Sequence, residues 1–187
     1  IWKALKRLNV TYKKNPLAPK ADPERRFAFC RILARYRRAN RPIVYLDESG
    51  FAHDMPRAYG YSRKGKRCYG SHDWGSKGRT NAIGALWRGY LLTVSLFSST
   101  INTVVFTQWV QKDLIPKLPP QSVVVLDNAS FHKGCSMKQA IADAGHTLLY
   151  LPPYSPDLNP IEHKWAQAKS LRRQQRCEIT QLFKNHT

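Results

Sequence analysis

The chain has 187 residues, 42% of them apolar, enough for one globular domain with at most a short appendage. Its 31 Lys and Arg against 12 Asp and Glu leave a formal net charge of +19, an excess that points to a polyanionic partner, with nucleic acid first. No run approaches the roughly 18 apolar residues of a membrane-spanning helix, charges interrupt the start from Lys3 onward as they do not in a signal peptide, and Cys30, Cys68, Cys135 and Cys177 form no CxxC pair, which argues for reduced thiols rather than zinc.

Taken in order, residues 1–8 place Ile1, Leu5 and Leu8 at helical spacing, with Asn9 as a stop. The chain thus opens inside a helical pattern, which reads as the end of a longer N-terminal region. Val10 to Ala21 carries Lys13, Lys14, Pro16, Pro19 and Lys20, a basic linker that is either solvated or in contact with phosphate. Asp22-Pro23-Glu24 then opens a helix with a cap, a proline at its first position and an acid in its first turn. It runs to about Arg38, and its stripe of Phe29, Leu33 and Tyr36 is expected to pack on the core.

Pro42 to Glu48 reads as the first strand. Period two puts Ile43, Tyr45 and Asp47 on one face and Val44, Leu46 and Glu48 on the other, so only one of the adjacent acids points at a given site. Gly50 to Gly78 reads as a long irregular stretch in which basic residues (His53, Arg57, Arg63, Lys64, Lys66, Arg67, Lys77) interleave with Tyr59, Tyr61, Tyr69 and Trp74. It is either a solvated loop or a nucleic-acid surface. Thr80–Trp87 and Tyr90–Phe97 form a hairpin about Arg88-Gly89. Asn102 caps a helix with Phe106, Val110 and Leu114 on one face, ended by Pro116. Val123–Leu126 is apolar without alternation, as a strand buried on both faces is, and ends in Asp127. Met137–Ala144 is a short helix stopped by Gly145, and His146–Leu151 is the last strand. The final helix runs from Pro160 to about Cys177, with Asn159 as its N-cap, and Ile161, Trp165 and Ala168 face the core.

Spacing leaves Glu162 two roles. It is either a capping-box partner reaching back to the Asn159 N–H or one ligand of a divalent cation. Two strands that each end in a carboxylate, Asp47 and Asp127, favour the second, because hard cations take oxygen ligands and need few of them from the protein.

The segments LDESGF (46–51), LDNASFH (126–132) and LPPYSPDLNPIEHKW (151–165) resemble the catalytic motifs of the Tc/mariner superfamily of DDE transposases, most closely its bacterial insertion-sequence branch. Thirty-four residues lie between Asp127 and Glu162, a spacing that this family shows, and the resemblance covers roughly residues 40 to 175. It implies an α/β ribonuclease H-like fold, a mixed five-stranded sheet flanked by helices, which the element order βββαβαβα also suggests. It selects Asp47 over Glu48 and implies that Asp47, Asp127 and Glu162 are catalytic and hold two Mg²⁺ or Mn²⁺. Asn128 and His132 fit its DNxxxH pattern as supporting or DNA-contacting groups. Lys169 and Arg173, near the Glu162 face of the helix, are placed to neutralise phosphates.

The same resemblance divides the chain. Residues 1–40 would be the end of a helix-turn-helix DNA-binding region with a basic linker and a helix, and residues 41–187 a catalytic domain truncated at its C-terminus. The implied activity is cleavage and joining of DNA at terminal inverted repeats and a TA target, with a possible homodimer in the active complex and a location at a bacterial nucleoid in the cytoplasm. The alternatives are another ribonuclease H-like nuclease and a catalytically silent DNA-binding remnant.

Overall fold

A strand with no polar residue has to be covered on both sides, and Val123–Leu126 (β4) is: all four side chains are fully buried. A computed structural model of the chain describes residues 2–8, 20–53, 63–67 and 78–184. In it β4 lies parallel between Ile43–Ala52 (β1) and Thr147–Tyr150 (β5). On the other side of β1, Arg79–Trp87 (β2) and Tyr90–Phe97 (β3) follow antiparallel, so the sheet order is β3-β2-β1-β4-β5. The hairpin between β2 and β3 turns through Arg88 and Gly89 with φ of 49° and 86°. Positive φ at both central residues is the two-residue turn whose twist matches its strands.

Alternation along β1 divides the core into two layers. Tyr45 and Phe51, with Val123 and Val125 of β4, pack against Phe29 and Leu33 of helix α2 (Pro23–Arg38) and Ile161 and Trp165 of helix α5 (Ile161–Gln175). Val44 and Leu46, with Val124 and Leu126, pack on the opposite layer, against Phe106 and Trp109 of helix α3 (Thr103–Trp109) and Met137 and Ile141 of helix α4 (Cys135–Asp143). Helix α1 (Trp2–Arg7) precedes all of these in the chain. The expected stripe on α2 is therefore core, with Tyr36 packed at its margin. Asp22 caps α2 as expected, accepting from the N–H groups of Glu24 and Arg25 at 2.9 and 3.4 Å.

Several boundaries move. Strand β1 continues past Glu48 to Ala52, because β2 is long enough to pair with it as far as Ala52–Arg79. At Gly50 the Arg79 side chain crosses over the strand, where a Cβ would displace its guanidinium end. Most of the expected irregular stretch, 54–62 and 68–77, lies outside the described residues, as does the linker 9–19. The helix capped by Asn102 loses α-helical form at Trp109 and continues as a π turn, Val110–Leu114, and a 3₁₀ turn, Ile115–Lys117. Pro116 brings no N–H and its ring crowds the carbonyl four residues back, so the regular ladder cannot run into it. Phe106, Val110 and Leu114 stay fully buried despite the change. A last short helix, α6 (Ile179–Leu182), was not expected; it carries Phe183 onto the rings of Phe51 and Trp165 at 5.5 and 6.2 Å.

Candidate active site

The pairing of β1 with β4 ends at Tyr45–Val125. Beyond that point the two strands part, and each carries an acid at the opening: Asp47 on β1 and Asp127 directly after β4. Both share the parity of Tyr45 and Val125, so both belong to the layer covered by α5. Glu162 enters from α5 itself, as its second residue. The three acids line one cleft of about 240 Å³, closed by the Leu151–Asn159 turn through Leu151, Pro152, Tyr154 and Ser155.

The electrostatics of the three differ. Burial pushes the Asp47 carboxyl up to about 8, and the negative charges of Glu162, Glu48 and Asp127 add to the effect. Asp127 is held below the usual carboxylate range, chiefly by a hydrogen bond from His132 and further by the Ala129 N–H, against the opposing effect of burial. His132 is buried to 1% exposure between two carboxylates, with Nδ1 2.6 Å from Asp127 and Nε2 2.7 Å from Glu48. Burial alone would lower its pKa. The two carboxylates outweigh it and raise the imidazole to about 9, so an imidazolium bridges them at neutral pH. The adjacent acids of β1 thus part company as their alternation requires: Asp47 faces the cleft, and Glu48 holds the far side of His132.

The donor set suits a hard divalent cation, since it is all carboxylate oxygen, with Asp47 and Asp127 half-buried and Glu162 exposed. Burial and the neighbouring acids favour the protonated form of Asp47 at neutral pH. Among the described residues no three His, Cys, Asp or Glu already converge closely enough to enclose an ion.

The supporting residues divide between the cleft and its surroundings. His132 is committed on both ring nitrogens to carboxylates, so it orders Asp127 and does not face outward to a DNA strand. Asn128 is exposed and is not part of the cleft wall. Lys169 lies over the Phe51 ring at 5.5 Å and Arg173 is exposed; neither borders the cleft. Asn159 does not cap α5 with its side chain. Its backbone N–H goes to the Pro156 carbonyl at 2.9 Å, which leaves nothing for a Glu162 capping box, and its amide points inward instead.

Two further anchors had no signal in the sequence beyond their charge. Arg26 of α2 makes a two-pronged ion pair with Asp157, at 2.9 and 2.6 Å, and so fastens the turn of 3₁₀ form at Pro156–Leu158 that forms one side of the cleft. Arg172, largely buried, donates to the carbonyls of Ala52 and His53 and ties α5 to the end of β1. Trp165 is core, as its spacing indicates: a Cβ on Gly84 of β2 would fall 2.6 Å from its ring.

Five mixed strands in this order, with acids on β1, directly after β4 and on the helix after the last strand, form an α/β domain of the ribonuclease H-like plan. A family model described as DDE superfamily endonuclease matches residues 42–181, three quarters of the chain, and the chain belongs to that family. Among solved structures it is similar to the Mos1 transposase paired-end complex with left transposon end, with a TM-score of 0.70 and 20% identity over 91% of this chain and 56% of that one. A Mos1 mariner paired end complex with Mn matches with a TM-score of 0.66 and 20% identity, over 91% and 56%. The catalytic domain of Mos1 mariner transposase matches at 0.60 and 18%, over 93% and 82%. These likenesses establish the fold, and the chain spans just over half the length of the longer Mos1 chains. Among curated proteins none matches. No helix of the described residues is long and apolar enough to cross a membrane.

Proposed function

We propose that the chain is the catalytic part of a Tc/mariner-type DDE transposase of the bacterial insertion-sequence branch, which cuts and rejoins DNA. The observation that carries this reading is the convergence of Asp47, Asp127 and Glu162, from three separate elements, on one cleft. The motif resemblance and the fold shared with Mos1 support the assignment of the reaction. The formal charge of +19 supports DNA as the partner.

In this reading Asp47, Asp127 and Glu162 hold two Mg²⁺ or Mn²⁺. When bound, the ions supply neutralisation of the phosphodiester and activation of the attacking oxygen, a water for cleavage or a DNA 3′-OH for joining. The chain's own residues position the reactants. His132 keeps Asp127 ionised and oriented, and Glu48 holds His132 from behind. Arg26 fixes the turn that walls the cleft through Asp157. In-line displacement at phosphorus asks for this positioning and charge neutralisation more than for a covalent side chain. Residues 1–40 are then the end of a helix-turn-helix region with its linker, and 41–187 the catalytic domain. The substrates are terminal inverted repeats and a TA target, the active complex is a homodimer, and the protein works at the nucleoid.

The test is cleavage of inverted-repeat DNA with Mg²⁺ by the protein. Glu162→Gln keeps the shape and removes the charge, so it is expected to abolish cleavage while leaving the melting temperature nearly unchanged. Cleavage at the parental rate by this variant overturns the assignment. Preference for RNA–DNA hybrid over inverted-repeat DNA would transfer the protein to another branch of the same fold.

A further inference from the structure

The cleft wall contains two polar residues that are almost wholly buried, Ser155 and Asn159, each at 3% exposure. Ser155 acts locally, donating to the Pro153 carbonyl at 3.2 Å. Asn159 reaches across the molecule: its Nδ2 donates to the Leu46 carbonyl at 3.0 Å, 113 residues away in sequence. Leu46 directly precedes Asp47. Its carbonyl lies just past the point where the β1–β4 ladder stops, so the Asn159 amide takes over where the sheet opens. At the other end of the same amide, Oδ1 is shut away from solvent and has no hydrogen-bond partner among the described residues. Reversing the amide would not help, because it would set Oδ1 against the Leu46 carbonyl, acceptor to acceptor.

As a device for stability this is a poor choice. The hydrogen bond to Leu46 is worth about what an unmet buried acceptor costs, so the side chain adds little on balance. Its distinctive effect is geometric. It ties the residue before Asp47 to the residue three before Glu162, and so sets the start of α5 against β1 at the level of the acids.

We infer that Asn159 is a positioning residue for the acid cleft, whose amide holds Glu162 in register with Asp47 so that the two carboxylates bind one divalent cation together. This rests on the reading of the cleft as a metal site. The experiment is Mn²⁺ binding to this chain without DNA, followed by electron paramagnetic resonance of free Mn²⁺, with thermal melts in EDTA alongside. The proteins are the parent, Asn159→Ala, Asn159→Leu and Asp47→Asn. Asn159→Leu refills the volume, which separates a lost hydrogen bond from a cavity.

Both Asn159 variants are expected to melt within about 3 °C of the parent. Both are expected to bind Mn²⁺ roughly tenfold more weakly, the usual loss when a group that orients a ligand is removed. Parental Mn²⁺ affinity in both, while Asp47→Asn has lost it, overturns the inference and leaves the metal site standing. A large fall in melting temperature in both variants also overturns it, because Asn159 is then a structural clamp. Parental affinity in Asp47→Asn as well removes the metal-site reading itself, and the inference falls with it.

Discussion

Replacing the central acid, Asp47→Asn, should stabilise the metal-free protein. In the folded chain the Asp47 carboxyl keeps its proton up to about pH 8, whereas in the unfolded chain it ionises near the ordinary value of 3.8. Between those values the folded state binds more protons than the unfolded one, so stability falls as pH rises through the window and levels off above it. Each pH step costs about 1.4 kcal/mol, which puts the penalty at about 4 kcal/mol at pH 7 if Asp47 bears it alone. Glu162 and Asp127 belong to the same cluster of charge and share part of it, so about 2–4 kcal/mol is the expected gain on removing the charge. Asn has nearly the same shape, and its N–H groups can donate to the neighbouring carboxylates.

The assay is urea denaturation in EDTA at half-unit steps from pH 4 to pH 8.5. Parent and Asp47→Asn should agree near pH 4 and separate steadily above it. Added Mg²⁺ should raise the parent toward the variant and leave the variant unmoved, since an ion that binds only the folded state stabilises it by mass action. Parallel pH curves for the two proteins, or a variant less stable at pH 7, would refute the account of the cleft as a site strained by unmet negative charge.

Three other substitutions probe the surroundings. His132→Gln removes the cation between Asp127 and Glu48 and should cost about 3–5 kcal/mol at pH 7 in a denaturant titration. That loss should shrink as pH rises through about 9, where the parent's imidazole also becomes neutral. Gly84→Ala should cost about 1–3 kcal/mol by driving a methyl into the Trp165 ring, and Trp165→Phe in the same chain should recover part of it, a coupling that a double-mutant cycle measures. Arg26→Gln should lower DNA cleavage as well as stability, because its partly covered pair with Asp157 fastens the turn whose Pro156 lines the cleft; turnover and melting temperature on the same protein separate the two.

What the sequence disclosed and what it hid follow a physical division. The strands, the Asp22 and Asn102 caps and the Arg88-Gly89 turn are decided by neighbours within a few residues, and periodicity or turn chemistry displays them. The three acids were legible because they sit in motifs of recognisable spacing. The contacts that fix those acids join distant segments: His132 to Glu48 across 84 residues, Asn159 to Leu46 across 113, and Arg26 to Asp157 across 131. Along α2, Arg25, Arg26, Arg31, Arg35, Arg37 and Arg38 look alike, and nothing local says that Arg26 is the one paired with the cleft turn. Asn159 was misread for a related reason. An asparagine before a proline and a helix has a ready local role as a cap, and the carbonyl that claims it instead is exposed only because two strands diverge elsewhere.

This division carries a consequence for function. The apolar layers that make the sheet are held by many short-range choices, each replaceable by another residue of similar size. The cleft is held by a few polar contacts between segments far apart in the chain, each with a single geometry. Substitutions in the layers should therefore act on stability and leave the chemistry of the surviving folded molecules intact. Substitution at Asn159 should leave a folded molecule whose carboxylates no longer meet a cation in the same register, whereas loss of the buried His132–Glu48 pair should act on both stability and cation binding. A set of variants ranked separately by melting temperature and by Mn²⁺ affinity should separate in that way, and a smooth correlation between the two quantities across all positions would show that the cleft has no architecture of its own.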